Sequence, residues 1–352
     1  MTLFRYILAQ LLVGFAFALA GLGLVIVPTL TVSAVNKVGG VGLAGILEYM
    51  PLVLVELVPY VLPMAFLLSC VATFGRLASD NEFTAIRMAG ISPLRLLLPG
   101  LLLAFVLCFV TDWLISTVSP TWKHRARSFQ NEAKIESWKR ALENRNEADL
   151  GEFSLWAESS HGNVKENVVL TFGGDENPMT ITAESMTMDI SAEVLTVSLV
   201  NAESVNESNQ TMSANPVFKF TMDDLIKRKG KESHKPKYRT SAQLKLDLSD
   251  PELEAERGNE IRYLIQSRHA LAMTYFLFLL LGIPTGIMLR AGTQLAAFTA
   301  AMGYAFVYYV LSMRLGKTLA EWGSIGPEVA AWATNGMFLV LGIFLLRKGL
   351  MR

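Results

Sequence analysis

The sequence predicts an α-helical polytopic membrane protein: six transmembrane helices in a 3+3 arrangement, with an inserted all-β domain, a sandwich or jelly roll, on the outer side. Three observations predict it. Apolar residues make up 52% of 352 residues and mean hydropathy is +0.38, an ordinary apolar fraction, but they are concentrated at the two ends of the chain. The runs they form there are long enough to cross a hydrocarbon core about 30 Å thick. Between them the period changes to short Val-, Thr-, Ile- and Phe-rich segments punctuated by turn residues.

In chain order, Tyr6 to about Thr31 is the first span. It has no convincing small-residue cleavage site, so it reads as a retained helix, and Arg5 before it favours a cytoplasmic N-terminus. A Gly-rich connector, Val38–Gly45, leads to a second span over about Glu48–Phe74. Pro51, Pro59 and Pro63 within it predict kinks whose freed carbonyls neighbouring helices must satisfy. The third span is Pro93–Val118, which places residue 119 outside. Trp122–Asn146 is charged and reads as a short helix or strap. Strands are predicted at Glu152–Glu158, Asn167–Phe172, Met179–Asp189, Val194–Val200 and Val217–Met222, with turns at Gly162, Gly173–Gly174–Asp175, Asn201 and Asn206–Asn209. Such spacing suits an antiparallel sandwich or jelly roll. Asp223–Pro251 reads as a strand or loop. Three more spans follow, near His269–Leu289, Gln294–Met313 and Val329–Leu346. The basic loop Arg290–Thr293 and the tail Arg347–Arg352 mark the cytoplasmic side, which Arg76, Arg87 and Arg95 share. The division is therefore 1–118, 119–262 and 263–352, with both termini cytoplasmic.

The stretch GRLASDNEFTAIRMAGIS, residues 75–92, sits between the second and third spans. Leu77, Phe83, Ile86 and Gly90 recur at roughly helical spacing while Arg76, Asp80, Glu82 and Arg87 supply charge. Ser79 or Asp80 can cap a helix start, and Gly90 followed by Ser92–Pro93 makes a stop. A short surface helix pinned between two membrane spans is what a membrane subunit needs if a soluble motor is to push it. Phe83, Ile86 and Met88 are either anchors for that motor or side chains packed back on the spans.

Several chemistries find no support. Net charge is zero, which gives no reason to expect a nucleic-acid partner. Cys70 and Cys108 lie in apolar runs and read as packing residues, and the four histidines form no ligand-spaced cluster, so no metal or cofactor is expected. Gly316–Lys317–Thr318 ends like a phosphate loop, yet position 311 is Leu where that motif needs Gly. No nucleophile–base arrangement is evident, so the chain reads as non-catalytic. Ionisable groups within the spans become functional candidates because they are costly there. Glu56 and Asp112 are two; Lys37, Arg314 and Lys317, at outer helix ends, are candidate partners for lipid phosphates, the alternative for Arg314 and Asp112 being snorkelling to the interface.

Three segments carry a family resemblance. They are GRLASDNEFTAIRMAGIS, the strand pair ITAESMTMDISAEVLTVSLVNAESV over Ile181–Val205, and RHALAMTYFLFLLLGIPTGI over Arg268–Ile287 with its Gly-x-Pro-x-Gly. With the 3+β+3 layout, their order resembles the LptF/LptG (YjgP/YjgQ) family, permease subunits of the lipopolysaccharide export ABC transporter. The resemblance implies a pair of such permeases forming a laterally opening cavity that takes lipopolysaccharide from the inner membrane. It implies too a periplasmic bridge of like jelly-roll domains and a separate cytoplasmic ABC ATPase dimer. In the family an acidic residue of the surface helix docks on that ATPase; the position maps onto Glu82, with Asp80 and Arg76 beside it. The family's basic residues near the first helix are matched here only by Lys37. Whether the chain is F-like or G-like is open. So are a permease for another glycolipid or lipoprotein, and a membrane-anchored periplasmic binding or sensing protein. A secondary transporter would show inverted repeats, which these halves lack.

Overall fold

The structure, a computed structural model, describes residues 2–38, 41–144, 146–149, 153–161, 164–172, 179–190, 194–205, 217–221, 235–251, 253–289, 294–321 and 325–350. The turns predicted at Gly162, Gly173–Asp175 and Asn206–Asn209, the loop 290–293, and the end of the basic tail lie outside these residues. The helices are α1 Thr2–Val38, α2 Gly42–Ser79, α3 Glu82–Met88, α4 Pro93–Trp113, α5 Ser119–Asn144, α6 Ser241–Asp247, α7 Ala255–Ala272, α8 Thr274–Met288, α9 Gln294–Glu321 and α10 Pro327–Leu350. The strands are β1 Glu147–Asp149, β2 Phe153–His161, β3 Val164–Phe172, β4 Met179–Ile190, β5 Val194–Val205 and β6 Val217–Thr221. Among the described residues six helices are long and apolar enough to cross a membrane, and α7 with α8 forms one of them. The chain divides into two compact units, one of Met1–Val32, Met50–Arg125 and Lys235–Arg352, the other of Ser33–Tyr49 and Ala126–His234.

In the first unit, α8 is the central helix. Tyr275, Phe278, Leu279, Leu281 and Ile283 are buried on all sides of it, as a uniformly apolar helix inside a bundle must be. Its partners approach closely because glycines meet: a Cβ at Gly286 would lie 2.7 Å from the Val71 carbonyl oxygen and 2.8 Å from the Gly75 nitrogen. By contrast α1 is equally apolar but only 6% of its apolar window is buried, so its surface is left for lipid or a partner.

Polar side chains fasten the helices to one another, as expected where burial of apolar surface gives no preference between protein and lipid. The Thr274 hydroxyl donates to the Tyr308 oxygen (2.8 Å), Tyr308 donates to Asn335 Oδ1 (2.8 Å), and Asn335 Nδ2 donates to the Ala270 carbonyl (2.8 Å). This chain ties α7 and α8 to α9 and α10. Tyr309 donates to the Tyr60 carbonyl (2.6 Å) between Pro59 and Pro63, giving a partner to the backbone beside those prolines. Asp112 and His269 are paired at 2.7 Å, which accounts for the acid predicted near the end of the third span. Cys70 and Cys108 are free thiols.

Asn201, expected as a turn, instead lies within β5, and two further segments differ from or extend the expectation. The stretch 235–251, predicted as a strand or loop, is a 3₁₀ turn followed by α6. A capping box starts that helix: the Gln243 N–H donates to Thr240 Oγ1, and the Thr240 N–H donates to Gln243 Oε1. The charged stretch after the third span, expected as a short helix or strap, is helical to Asn144, and the π-turn Leu114–Val118 carries α4 into it.

The second unit contains one antiparallel sheet in which the six strands follow sequence order. Its four central strands share a crease. Register pairs Ala157, Val168, Ala183 and Ala202 in one row and Ser159, Glu166, Ser185 and Val200 two residues away. In the intervening row, Glu158, Asn167, Glu184 and Asn201, the residues Asn167 and Asn201 adopt φ of 47° and 51°. On one side of that row Ala157, Val168, Ala183 and Ala202 point inward; on the other Lys165, Met186 and Leu199 do. The in–out alternation therefore inverts on β3, β4 and β5 together, so the register survives. Asn167 Nδ2 donates to Glu158 Oε2 (2.5 Å) and Asn201 Nδ2 to Glu184 Oε2 (2.7 Å), closing the crease across strands. Asparagine suits the left-handed positions. In the same unit Tyr49 stacks on Phe129 with ring centroids 6.0 Å apart and accepts a hydrogen bond from Gln130.

Candidate functional site

The turn between α2 and α4 is built by local rules. Nothing in Gly75–Ser79 breaks a helix, so α2 continues through them, and the break comes at Asp80–Asn81, where Asn81 takes φ 60°. The surface helix α3 is thus shorter than the predicted 75–92, and neither Ser79 nor Asp80 caps it by a side-chain hydrogen bond. Its end is a Schellman motif: the Gly90 N–H donates to the Arg87 carbonyl and the Ile91 N–H to the Ile86 carbonyl, with Gly90 at φ 76°. Two residues join α3 to α2 and four join it to α4. A helix so short and so closely tethered cannot move without its neighbours.

The side chains of α3 divide into two sets. Phe83 is buried in the same cluster as Leu77 and Leu96, with Ile86 packed against it. It fastens α3 to the bundle and is not presented to a partner, whereas the apolar Met88 is 84% exposed. Arg87 is exposed, its guanidinium 6.0 Å from the Phe83 ring centroid. Glu82, at the first position of α3, accepts from the Tyr6 hydroxyl at both carboxylate oxygens (3.1 and 3.0 Å). Asp80 is exposed and Arg76 points to a cavity beside α1. Spacing could not reveal Tyr6, because 76 residues separate it from Glu82.

A second site lies where α4 passes into α5. A cavity of about 230 Å³ there is lined by Lys123, Lys237 and Arg268 together with Tyr60, Tyr309 and several serines, and no carboxylate is among its lining residues. Arg268 is 4% exposed; its guanidinium donates to Ser241 Oγ (2.9 Å) and to the Arg239 carbonyl (2.8 Å). Lys237 sits 4.9 Å from the Tyr238 ring centroid. Lys123 pairs with Glu56 at 3.2 Å. That pair gives the intramembrane acid a structural role, and the cationic lining is assembled from three distant segments. Of the other predicted lipid-contact residues, Arg314 is exposed next to lining residue Met313, Lys37 is exposed within the second unit, and the side chain of Lys317 lies outside the described residues. Arginine and lysine with hydroxyl donors, and no acid in the lining, form the donor set a phosphate monoester requires.

Among the described residues no group of His, Cys, Asp or Glu is arranged to hold a metal ion. A family model described as "Lipopolysaccharide export system permease LptF/LptG" matches residues 5–348. No curated protein matches the chain.

Proposed function

Since the chain belongs to the LptF/LptG family of lipopolysaccharide export permeases, we infer that it extracts lipopolysaccharide from the inner membrane and passes it to a periplasmic bridge. The energy comes from a separate cytoplasmic ABC ATPase dimer, and a second LptF/LptG-type permease completes the cavity. Both termini are cytoplasmic, the β unit is periplasmic, and the chain itself performs no hydrolysis.

The observation that carries this reading is the construction of α3. A contact that transmits force needs a rigid element, a root in the moving body and polar groups that fix register on the motor. Phe83 supplies the root, Asn81 and Gly90 fix the two ends, and Glu82, Arg87 and Met88 face away from the core. A displacement of α3 is passed directly to α2 and α4, and from α2 to α8 through Gly75 and Gly286. At the opposite end of α4, the cavity of Lys123, Lys237 and Arg268 supports a role in receiving lipid phosphates.

Co-purification from membranes tests the reading, comparing wild type with Glu82→Arg. The expected result is an ABC ATPase, a second permease and glycolipid with wild type, and loss of the ATPase from the charge-reversed chain. An ATPase retained equally by both proteins removes Glu82 from the contact. No ATPase with either one favours an anchored binding protein.

A further inference from the structure

A larger cavity, about 600 Å³, opens among the first turns of α1, the last turns of α2, the end of α8 and the start of α9. Its size falls within the range of about 300–1,000 Å³ usual for small-molecule sites. Its lining is graded along the helix axes. Thr73 Oγ1 donates to the Gln10 carbonyl (3.4 Å) and Tyr6 reaches Glu82, so α1 and α2 run antiparallel here. Tyr6 and Gln10 therefore share one end with Arg76 and Ser79, while Val13 and Phe17 lie further along α1 on its exposed face.

That polar end carries an exposed cation with no ion pair among the described residues, that of Arg76. Its nearest acids in sequence are Asp80 and Glu82, and Glu82 is occupied by the Tyr6 hydroxyl. Further along, Val13 and Phe17 make the lining apolar and open to the surroundings of α1. A polar, cationic end continuous with an exposed apolar groove, on a helix bundle of membrane-spanning length, matches one kind of molecule. We propose that this cavity holds one anionic phospholipid, its phosphate on Arg76 and an acyl chain along Val13 and Phe17. The lipid would lie beside the Tyr6–Glu82 contact and so at the root of α3. It is a site distinct from the Lys123–Lys237–Arg268 cavity at the other end of α4.

The test is native mass spectrometry of the full chain, purified with whatever partners accompany it, from micelles doped with equal phosphatidylglycerol and phosphatidylcholine. Wild type is expected to retain one phosphatidylglycerol in preference to phosphatidylcholine. Removing one interfacial cation in Arg76→Gln should lower that retention roughly fivefold and leave phosphatidylcholine unchanged; Ala9→Phe, which fills the polar end from the exposed face of α1, should lower both. A benzophenone amino acid in place of Val13, in an otherwise wild-type chain, should capture phosphatidylglycerol, a readout independent of how the other variants fold. Retention unchanged by both variants overturns the proposal, as does absence of a headgroup preference. Capture of a polypeptide, of phosphatidylcholine alone, or of nothing overturns it as well.

Discussion

Replacing Gly286 by Ala probes the contact that joins α2 to α8. The added Cβ would sit 2.7 Å from the Val71 carbonyl oxygen and 2.8 Å from the Gly75 nitrogen, about 0.7 Å short of ordinary van der Waals contact. Both neighbours are backbone, so neither can rotate away, and the two helices must separate. Overpacking of this kind costs about 1–3 kcal/mol. Alanine also gains roughly 0.8–1 kcal/mol of helix propensity over glycine, so the comparison needs a glycine where only the gain operates. Gly303 in α9 has open space around it, with nothing within 4 Å of where an added methyl group would sit, and Gly303→Ala isolates that gain. The two variants should therefore differ by about 1–3 kcal/mol, with Gly286→Ala the less stable. In a protein this large that separates their melting temperatures by a few degrees, at about 2–4 °C per kcal/mol. Thermal melting of both in one detergent is the assay. Equal melting temperatures would refute the claim that α2 and α8 touch through bare backbone, and with it the route by which motion of α3 reaches α8.

Other perturbations follow from the same geometry. Tyr6→Phe removes the donor to Glu82 and should raise amide exchange across 82–88 while shifting melting by no more than about 1 kcal/mol equivalent, the worth of one exposed hydrogen bond. Exchanging the partners as Glu56→Lys with Lys123→Glu should restore much of the stability lost by either single change, since the pair is mostly shielded from solvent. Asn167→Ala puts a Cβ-bearing residue without a local hydrogen bond at φ 47° and should destabilise the β unit by about 1–2 kcal/mol, whereas Asn167→Gly relieves the backbone and loses only the bond to Glu158. Lys165 is solvent-inaccessible and burial pushes its pKa below the usual lysine value. The unfolded chain then binds more protons than the folded one between the two pKa values, so stability rises with pH through that window. Lys165→Met should stabilise the unit at neutral pH, and its advantage should shrink as pH approaches 10.5, the ordinary lysine value.

The membrane helices were legible because lipid imposes one demand along their whole length, and a run of apolar residues answers it without reference to any partner. The strands were legible for a related reason, since Val, Thr and Ile cluster where the sheet runs. What escaped depends on contacts between distant segments. The cationic cavity draws Lys123, Lys237 and Arg268 from three places, and each alone looks like a solvated charge. Glu56 resembles a substrate ligand until Lys123 is placed against it. The limits of α3 escaped because Gly75–Ser79 is as good a helix as the residues before it, and only the left-handed Asn81 marks the break. α6 did carry a sequence signal, Thr240 three residues before Gln243, which its charged surroundings obscured. The strand pattern around Asn167 and Asn201 looks like faulty alternation, although the fault recurs in step on β3, β4 and β5.

That shared fault has a consequence for substitutions. The face of β3, β4 and β5 that turns inward is exchanged at the crease, so odd and even positions swap roles there. A rule that reads every second residue as buried holds on one flank and fails on the other, and a one-residue insertion confined to one flank would turn its polar set inward.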